Sequence, residues 1–366
     1  MYCSLILVLS LLKSAAGAEI VYDYDSADYG VTTWATRYPN FCNGTKQSPV
    51  DIVNAMPNRN LGNIKFDNYM QNNVTVTVTN NGHTYVTSNI SNYYPVPFIS
   101  GGGLPGTYQL AQFHFHWGDD STKGSEHTVN GKMYAAELHL VHMNMKYSNL
   151  TEAVGKSDGL AVLGIFIEEG DANPYYDFIN LTTYDVTYPG NTSTTVIKSL
   201  MGLLPREKSF YRYYNGSLTT PTCNEVVTWT VFNEPITFSH SQLEQLRGMK
   251  YFTFNNTVAP LVNNYRPVEP LNGRMVHFVH GGTSTVTTTV IQTSTTTVSS
   301  TATVSSTATV SSTTTVSSTA TVSSTATVTV CPTMSSTTSG VVSHVHRNVF
   351  VYFVSLIIVT LMFLQN

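Results

Sequence analysis

Along the first 280 residues, polar and apolar positions alternate with the period of two that marks a β-strand, and helical periodicity is sparse. Val74 to Val78 alternates strictly and runs into Asn80-Asn81-Gly82, which predicts a strand closed by a turn. Tyr108 to His116 and Ala135 to His142 alternate in the same way and predict two more strands. Ser239 to Leu246 is the best candidate for a helix, a short one, with Ser239 or Ser241 as its cap. Residues 19–282 are therefore expected to form one mainly β domain. A length of roughly 260 residues is large for one domain but within the range of sheet-rich ones.

The pattern breaks after Gly282, where the chain turns to Ser, Thr, Val and Ala. From Ser299 to Val328 five hexads of the type Ser-Ser-Thr-Ala-Thr-Val follow one another, the third with Thr for Ala. One Val per hexad buries too little apolar surface to fold. Residues 283–334 are expected to be an unstructured, O-glycosylated stalk. The alternative, a hexapeptide β-helix, would have fewer than two full coils. The chain closes on Val349 to Leu364, largely apolar, followed by two residues of which neither is basic. That is short of the ~20 residues of a membrane helix and lacks a cytoplasmic anchor. Small residues at Ser335 to Gly340, a polar spacer and a terminal apolar tail make residues 335–366 a glycosylphosphatidylinositol (GPI) anchor signal. A single C-terminal membrane helix and plain secretion are the alternatives. His344 and His346 fall in the spacer and read as solvated.

At the other end, Leu5 to Leu12 is a short apolar run and Ala16-Gly17-Ala18 a small-residue cleavage pattern, so residues 1–18 read as a secretory signal peptide. Eight Asn-x-Ser/Thr sequons, at Asn43, Asn73, Asn89, Asn149, Asn180, Asn191, Asn215 and Asn255, agree with an extracellular chain. Charge adds an exclusion: 18 Lys and Arg against 22 Asp and Glu, net -4, leave no electrostatic case for nucleic acid. Of the four cysteines, Cys3 leaves with the signal peptide and Cys331 is left over. Cys42 and Cys223 remain in the domain, where an oxidising compartment most simply joins them.

Three histidines carry the candidate chemistry. His114 and His116 are two apart and project from one face of a strand, and His139 needs only a neighbouring strand to meet them. Three neutral imidazoles and one open position suit a catalytic zinc. Gln112 shares parity with His114 and His116, and Glu137 with His139, so each is placed to take the second ring N–H of a ligand and fix its tautomer. A lone His-x-His reads as packed or surface histidines; two strands that each add a polar partner on the same face argue against that.

Gln47-Ser-Pro-Val-Asp-Ile52, Gln112-Phe-His-Phe-His-Trp-Gly118, Gly124-Ser-Glu-His-Thr-Val129, Ala136-Glu-Leu-His-Leu-Val-His142, Leu160-Ala-Val-Leu-Gly-Ile-Phe166, Gly216-Ser-Leu-Thr-Thr-Pro221 and Asn264-Tyr-Arg-Pro267 occur in that order. Together they resemble the α-class carbonic anhydrases, over residues 20–275. The resemblance implies a single domain around a large twisted, mostly antiparallel sheet with short surface helices. It implies Zn2+ on His114, His116 and His139, and hydration of CO2 to bicarbonate by hydroxide. Thr219 would accept a hydrogen bond from the nucleophile and donate its own to Glu126, orienting the attack. Val141, Val162, Leu218 and Trp229 would wall an apolar CO2 pocket, with Thr220 beside the bicarbonate. His83 would export the proton, with Tyr24 and Asn81 bordering the connecting water, and Asn264 would support His116. On their own, Thr219 reads as a turn residue, Glu126 as an exposed acid and the pocket residues as core.

The sequence departs from the family at Val86, where many members have a polar residue lining the water path. His127 and His142 read as buried, hydrogen-bonded structural residues. Cys42 and Cys223 match a disulfide of secreted and membrane-bound members, which would brace Leu218 to Pro221 against the N-terminal segment. Because Asn215 abuts that loop, its sequon is expected to stay unmodified.

A catalytically weak carbonic-anhydrase-like adhesion module or matrix protein is the competing function. The complete ligand set, with Thr219, Glu126 and His83, favours the enzyme. The expected partners are CO2 and bicarbonate, and the membrane through a GPI anchor on the extracellular face.

Overall fold

A computed structural model describes residues 20–279 except 59, 91–93 and 209–210, together with two strands at 288–294 and 308–314. The expected signal peptide, the anchor signal, Cys331 and the His344–His346 pair lie outside the described residues. Contacts divide the chain into two units between Gly282 and Thr283. In the second unit Thr288–Ser294 pairs antiparallel with Ala308–Thr314. These two strands fall within the segment expected to be unstructured, and a two-stranded ribbon by itself is marginal in water. No helix among the described residues is long and apolar enough to cross a membrane.

The first unit is built on one 13-stranded sheet. In chain order its strands are β1 (Met56–Pro57), β2 (Ile64–Asp67), β3 (Asn72–Asn80), β4 (Tyr85–Ser88), β5 (Phe98–Gly101), β6 (Tyr108–Trp117), β7 (Ala136–Asn144), β8 (Leu160–Glu169), β9 (Thr192–Ser199), β10 (Tyr211–Gly216), β11 (Val227–Phe232), β12 (Ile236–Phe238) and β13 (His277–Val279). The path across it is β9-β3-β4-β6-β7-β8-β11-β10-β13-β1, with β5 beside β6, β2 beside β5, and β12 beside β8. Pairs are antiparallel except β8 with β11 and β12, and β13 with β1. The helices are short: α1 (Trp34–Arg37), α2 (Leu150–Val154), α3 (Asp177–Thr182) and α4 (His240–Arg247). α4 is the helix expected from sequence; Ser239 caps it, in a capping box with Gln242.

The central strands are buried on both faces, which simple alternation does not reveal. All nine residues of β7 are buried. Leu138 and Leu140 point into the larger core, whereas Val141 and Met143 belong to a second cluster on the other face. β6 changes parity part-way along. Tyr108 and Leu110 lie in the larger core, and so do Phe113, Phe115 and Trp117, an odd number of residues on. A bulge between Leu110 and Gln112 makes this possible by leaving Ala111 unpaired against β7. Beyond the bulge, Gln112, His114 and His116 all face away from that core.

Cys42 and Cys223 are bonded, closing a loop over a sequence separation of 181. They sit in a small cluster with Ile20, Tyr22 and Trp34, and Cys223 N–H donates to the Thr220 carbonyl at 2.7 Å. The bond thus ties the turn after Thr220 to the N-terminal segment. Chain entropy for a loop of this length gives roughly 5 kcal/mol, and measured values fall below such figures. Reduction is expected to lower unfolding stability by about 3–5 kcal/mol and to reduce activity with it. Denaturant unfolding with and without reductant checks this; an unchanged midpoint and activity would contradict the brace.

Candidate active site

The sheet register assembles the histidines. His114 of β6 lies directly opposite His139 of β7, and His116 opposite Glu137. One ring nitrogen from each of His114, His116 and His139 lies within 4.8 Å of the others, and all three residues are buried. The second nitrogen of each ring is committed elsewhere. His114 Nδ1 is 3.0 Å from Gln112 Oε1, His116 Nδ1 is 2.7 Å from the Asn264 main-chain carbonyl, and His139 Nε2 is 2.9 Å from Glu137 Oε1. Each acceptor fixes a tautomer, so lone pairs remain on His114 Nε2, His116 Nε2 and His139 Nδ1. His116 Nε2 is buried and has no hydrogen-bond partner among the described residues. Burial, reinforced by the neighbouring imidazoles, holds His114 well below the usual histidine range and His116 at about 3. His139 is also lowered by burial, with Glu137 opposing. Three neutral imidazoles with one orphaned nitrogen form a donor set that fits zinc.

Glu137 is the hub of this arrangement. Its Oε1 also meets His127 Nδ1 at 2.7 Å, and its Oε2 accepts the main-chain N–H groups of Glu126 at 2.9 Å and His127 at 2.8 Å. Burial alone pushes its carboxyl up, but His127 and His139 outweigh that and hold it well below the usual range. His127 Nε2 lies 2.6 Å from the Tyr214 hydroxyl, which is 2.9 Å from Ser48 Oγ, and Ser48 Oγ accepts Ser217 N–H at 3.0 Å. A chain of buried polar groups thus runs from the ligand His139 to the loop carrying Leu218 to Thr220. Both nitrogens of His127 are used in it, so His127, Glu137 and His139 make a hydrogen-bonded relay and not a second metal site. Two glycines make room for it. A Cβ on Gly164 would sit 2.9 Å from Glu137 Oε1, and one on Gly216 would sit 2.1 Å from Ser48 Oγ. His142 points to the opposite face, against Tyr69 and the Leu140 carbonyl.

Beside the histidines lies a cavity of about 40 Å³, lined by Gln112, His114, His139, Val141, Val162, Leu218, Thr219, Thr220 and Trp229. All the pocket residues expected from sequence are present, and Leu150, Val154 and Leu160 join them. Leu150 and Val154 come from α2, whose sequence looks like an ordinary amphipathic turn; nothing in it signals a pocket wall. Glu126 is buried, and its Oε1 accepts Arg266 N–H at 2.9 Å. Burial pushes its carboxyl well up, while the Thr219 hydroxyl and the Arg266 N–H pull it back. Glu126 Oε2 has no hydrogen-bond partner among the described residues and lies 3.8 Å from His139 Nδ1.

A profile of the eukaryotic-type carbonic anhydrases matches residues 29–280. The chain belongs to this family. It is 39% identical over 255 residues to carbonic anhydrase 7 of Homo sapiens, covering 68% of this chain and 94% of that protein. It is 38% identical over 261 residues to carbonic anhydrase 1 of Mus musculus, with 69% and 98% covered. It is 35% identical over 288 residues to carbonic anhydrase 12 of Homo sapiens, with 76% and 79% covered. As a carbonic anhydrase it is a zinc enzyme, and His114, His116 and His139 are the buried group able to hold the metal.

Other carbonic anhydrase positions fall around the site less simply. His83 does not line the small cavity. It borders an outer one of about 280 Å³ with Tyr24 and Asn81, its ring stacked on Tyr22 at 4.1 Å. It is half-buried, and burial lowers its pKa to about 4 against the opposing pull of Asp23. Tyr22, which sequence reading passed over, stands between the cavities; burial raises its hydroxyl's pKa, and the Thr220 side chain partly offsets this. Asn81 Oδ1 accepts the N–H groups of His83 and Thr84, shaping the turn. Asn264 Nδ2 donates to the His83 carbonyl at 2.9 Å, fastening that turn to the strand of His116. Val86 sits opposite His114, on the site's side of β4. Asn215 is exposed, so nearness to the loop in sequence does not put its side chain in the site.

Glu137→Ala removes the acceptor of one ligand and two loop N–H partners. Zinc affinity is expected to fall about 10–100-fold in competition with a chelator. Gly164→Ala should weaken zinc in the same direction by displacing Oε1. Unchanged affinity in both would contradict the hub.

Proposed function

We propose that this carbonic anhydrase hydrates CO2 reversibly at the outer face of the cell, on a glycosylated stalk with a GPI anchor. The reading is carried by one observation: three neutral, outwardly committed imidazoles present an orphaned nitrogen beside an apolar cavity of about 40 Å³. The cavity has room for a small molecule beside the histidines. CO2 is uncharged and a poor hydrogen-bonding partner, and Val141, Val162, Leu218 and Trp229 ask nothing polar of it. Zinc supplies hydroxide at neutral pH, a chemistry for which carbonic anhydrase is itself the standard example.

The chain's own residues orient and clear the reaction. Thr219 accepts a hydrogen bond from the nucleophile and donates one through its hydroxyl to the Glu126 carboxylate, which aims a lone pair at the substrate. A cation on the histidines favours the carboxylate form of Glu126 that this requires. Thr220 borders the product. His83 moves the released proton outward. Its ring borders the outer cavity, where an imidazole in contact with solvent titrates near 6.5. Val86 in place of a polar residue makes the water path less continuous.

Seven of the eight sequon asparagines are exposed and Asn89 is half-buried, which supports passage through the secretory pathway, as does the Cys42–Cys223 bond.

Thr219→Ala is expected to lower CO2 hydration about 100-fold while zinc stays bound. His83→Ala should slow turnover in weak buffer and recover with imidazole. Equal turnover of all three proteins, or turnover indifferent to a zinc chelator, would sink the mechanism. Phosphatidylinositol-specific phospholipase should release the protein from cells; retention would rule out the anchor.

A further inference from the structure

β4 stops pairing with β6 before β6 ends. The ladder sets Thr87 opposite Phe113 and Val86 opposite His114, and goes no further along β6. Phe115, the residue between two of the zinc ligands, therefore has no strand partner on that side for its main-chain N–H and carbonyl. It is fully buried, where an unpaired backbone group is costly. Two side chains stand in for the missing strand. Thr84 Oγ1 accepts Phe115 N–H at 3.3 Å and donates to the Phe115 carbonyl. Asn264 Nδ2 donates to the same carbonyl at 3.3 Å, and its Oδ1 accepts Trp117 N–H at 2.8 Å. Thr84 and Asn264 are both buried.

The same two side chains flank His83. Thr84 follows it in the chain, and Asn264 Nδ2 donates to the His83 carbonyl at 2.9 Å. On the other side of the turn, Asn80 Oδ1 accepts Gly82 N–H at 2.9 Å, and Asn80 Nδ2 donates to the carbonyls of Thr187 and Lys250. The main chain of His83 is thus pinned from both directions. Its imidazole is not. Among the described residues no hydrogen bond holds the ring, which rests in a stack on Tyr22. A fixed main chain with a free ring suits a group that must collect a proton at one place and release it at another. Position matters in such a step, because a misplacement of about 1 Å can cost up to about 100-fold in rate.

We propose that Thr84 and Asn264 are positioning residues for proton export, tying the main chain of His83 to the ligand strand so that its ring stays within reach of the metal site. The inference deepens the export role of His83 given above and rests on it. Asn264 serves zinc through its main-chain carbonyl and His83 through its side chain, so replacing the side chain separates the two roles.

The test uses the full chain, loaded with zinc and metal-free, carrying Thr84→Val, Thr84→Ser, Asn264→Ala or His83→Ala, and Thr84→Val combined with His83→Ala. In weak buffer, Thr84→Val and Asn264→Ala are expected to lower kcat about tenfold, with kcat/KM for CO2 and zinc affinity unchanged. Imidazole should restore kcat, and Thr84→Ser, which keeps the hydroxyl, should match the parent. In the metal-free protein, amide hydrogen exchange over residues 81–85 should become about tenfold faster in Thr84→Val and stay slow in Thr84→Ser. On the His83→Ala background, Thr84→Val should cost nothing further. If Asn264→Ala does not fold, the Thr84 pair decides alone. Positioning is overturned, with the export role intact, if His83→Ala slows turnover while Thr84→Val keeps the parent kcat. It is also overturned if kcat/KM falls with kcat, if Thr84→Val slows the His83→Ala protein further, or if exchange over 81–85 is unchanged. A His83→Ala protein with full turnover in weak buffer overturns the export role, and the positioning with it.

Discussion

A single buried carboxylate holds the site together. Glu137 takes hydrogen bonds from His139 and His127 and from two consecutive main-chain N–H groups, all out of contact with water. A buried carboxylate is tolerable only with such a set of donors. Each donor answers a different need. His139 is locked with Nδ1 toward the metal, the Glu126 segment is clamped to β7, and His127 carries the constraint through Tyr214 and Ser48 to the loop that holds Thr219. Ligand geometry and substrate loop are therefore set by one group, and Gly164 is the position that leaves space for it.

The sheet supplies what this carboxylate needs. Opposite pairing of His114 with His139 and of His116 with Glu137 brings four functional side chains onto one face without a loop. The bulge at Ala111 gives β6 its second parity, so one strand fills the core with Tyr108 and Leu110 and then again with Phe113 and Phe115. A metal site on two central strands, packed from behind, resists distortion more than one carried on loops.

Much of this was legible in the residues. The period-two spacing of His114 and His116, and the shared parity of Gln112 and Glu137, foretold the ligand face, and the Ser239 to Leu246 pattern foretold α4. The parity change in β6 was missed: Tyr108 to His116 reads as plain alternation, although its apolar residues shift from even positions up to Leu110 to odd ones from Phe113, where the bulge lies. The partners that come from far along the chain were legible only through the family resemblance, which set Asn264 beside His116, or not at all. Asn264 serves His116 through its main-chain carbonyl, which any residue could offer, and its side-chain amide reaches the His83 turn. Tyr22 reads as a generic aromatic until tertiary packing sets it against His83 and Thr220. The same holds for Leu150 and Val154, whose hydrophobicity marks burial but not what they face.

The central claim is that the outward hydrogen bonds of the three imidazoles decide which nitrogens meet the metal. Anomalous diffraction at the zinc edge from crystals of the zinc-loaded protein tests this directly. The account predicts one zinc atom at about 2.0–2.1 Å from His114 Nε2, His116 Nε2 and His139 Nδ1, with a fourth position open to solvent. Zinc bound through His139 Nε2, or on Glu137 and His127, would contradict it.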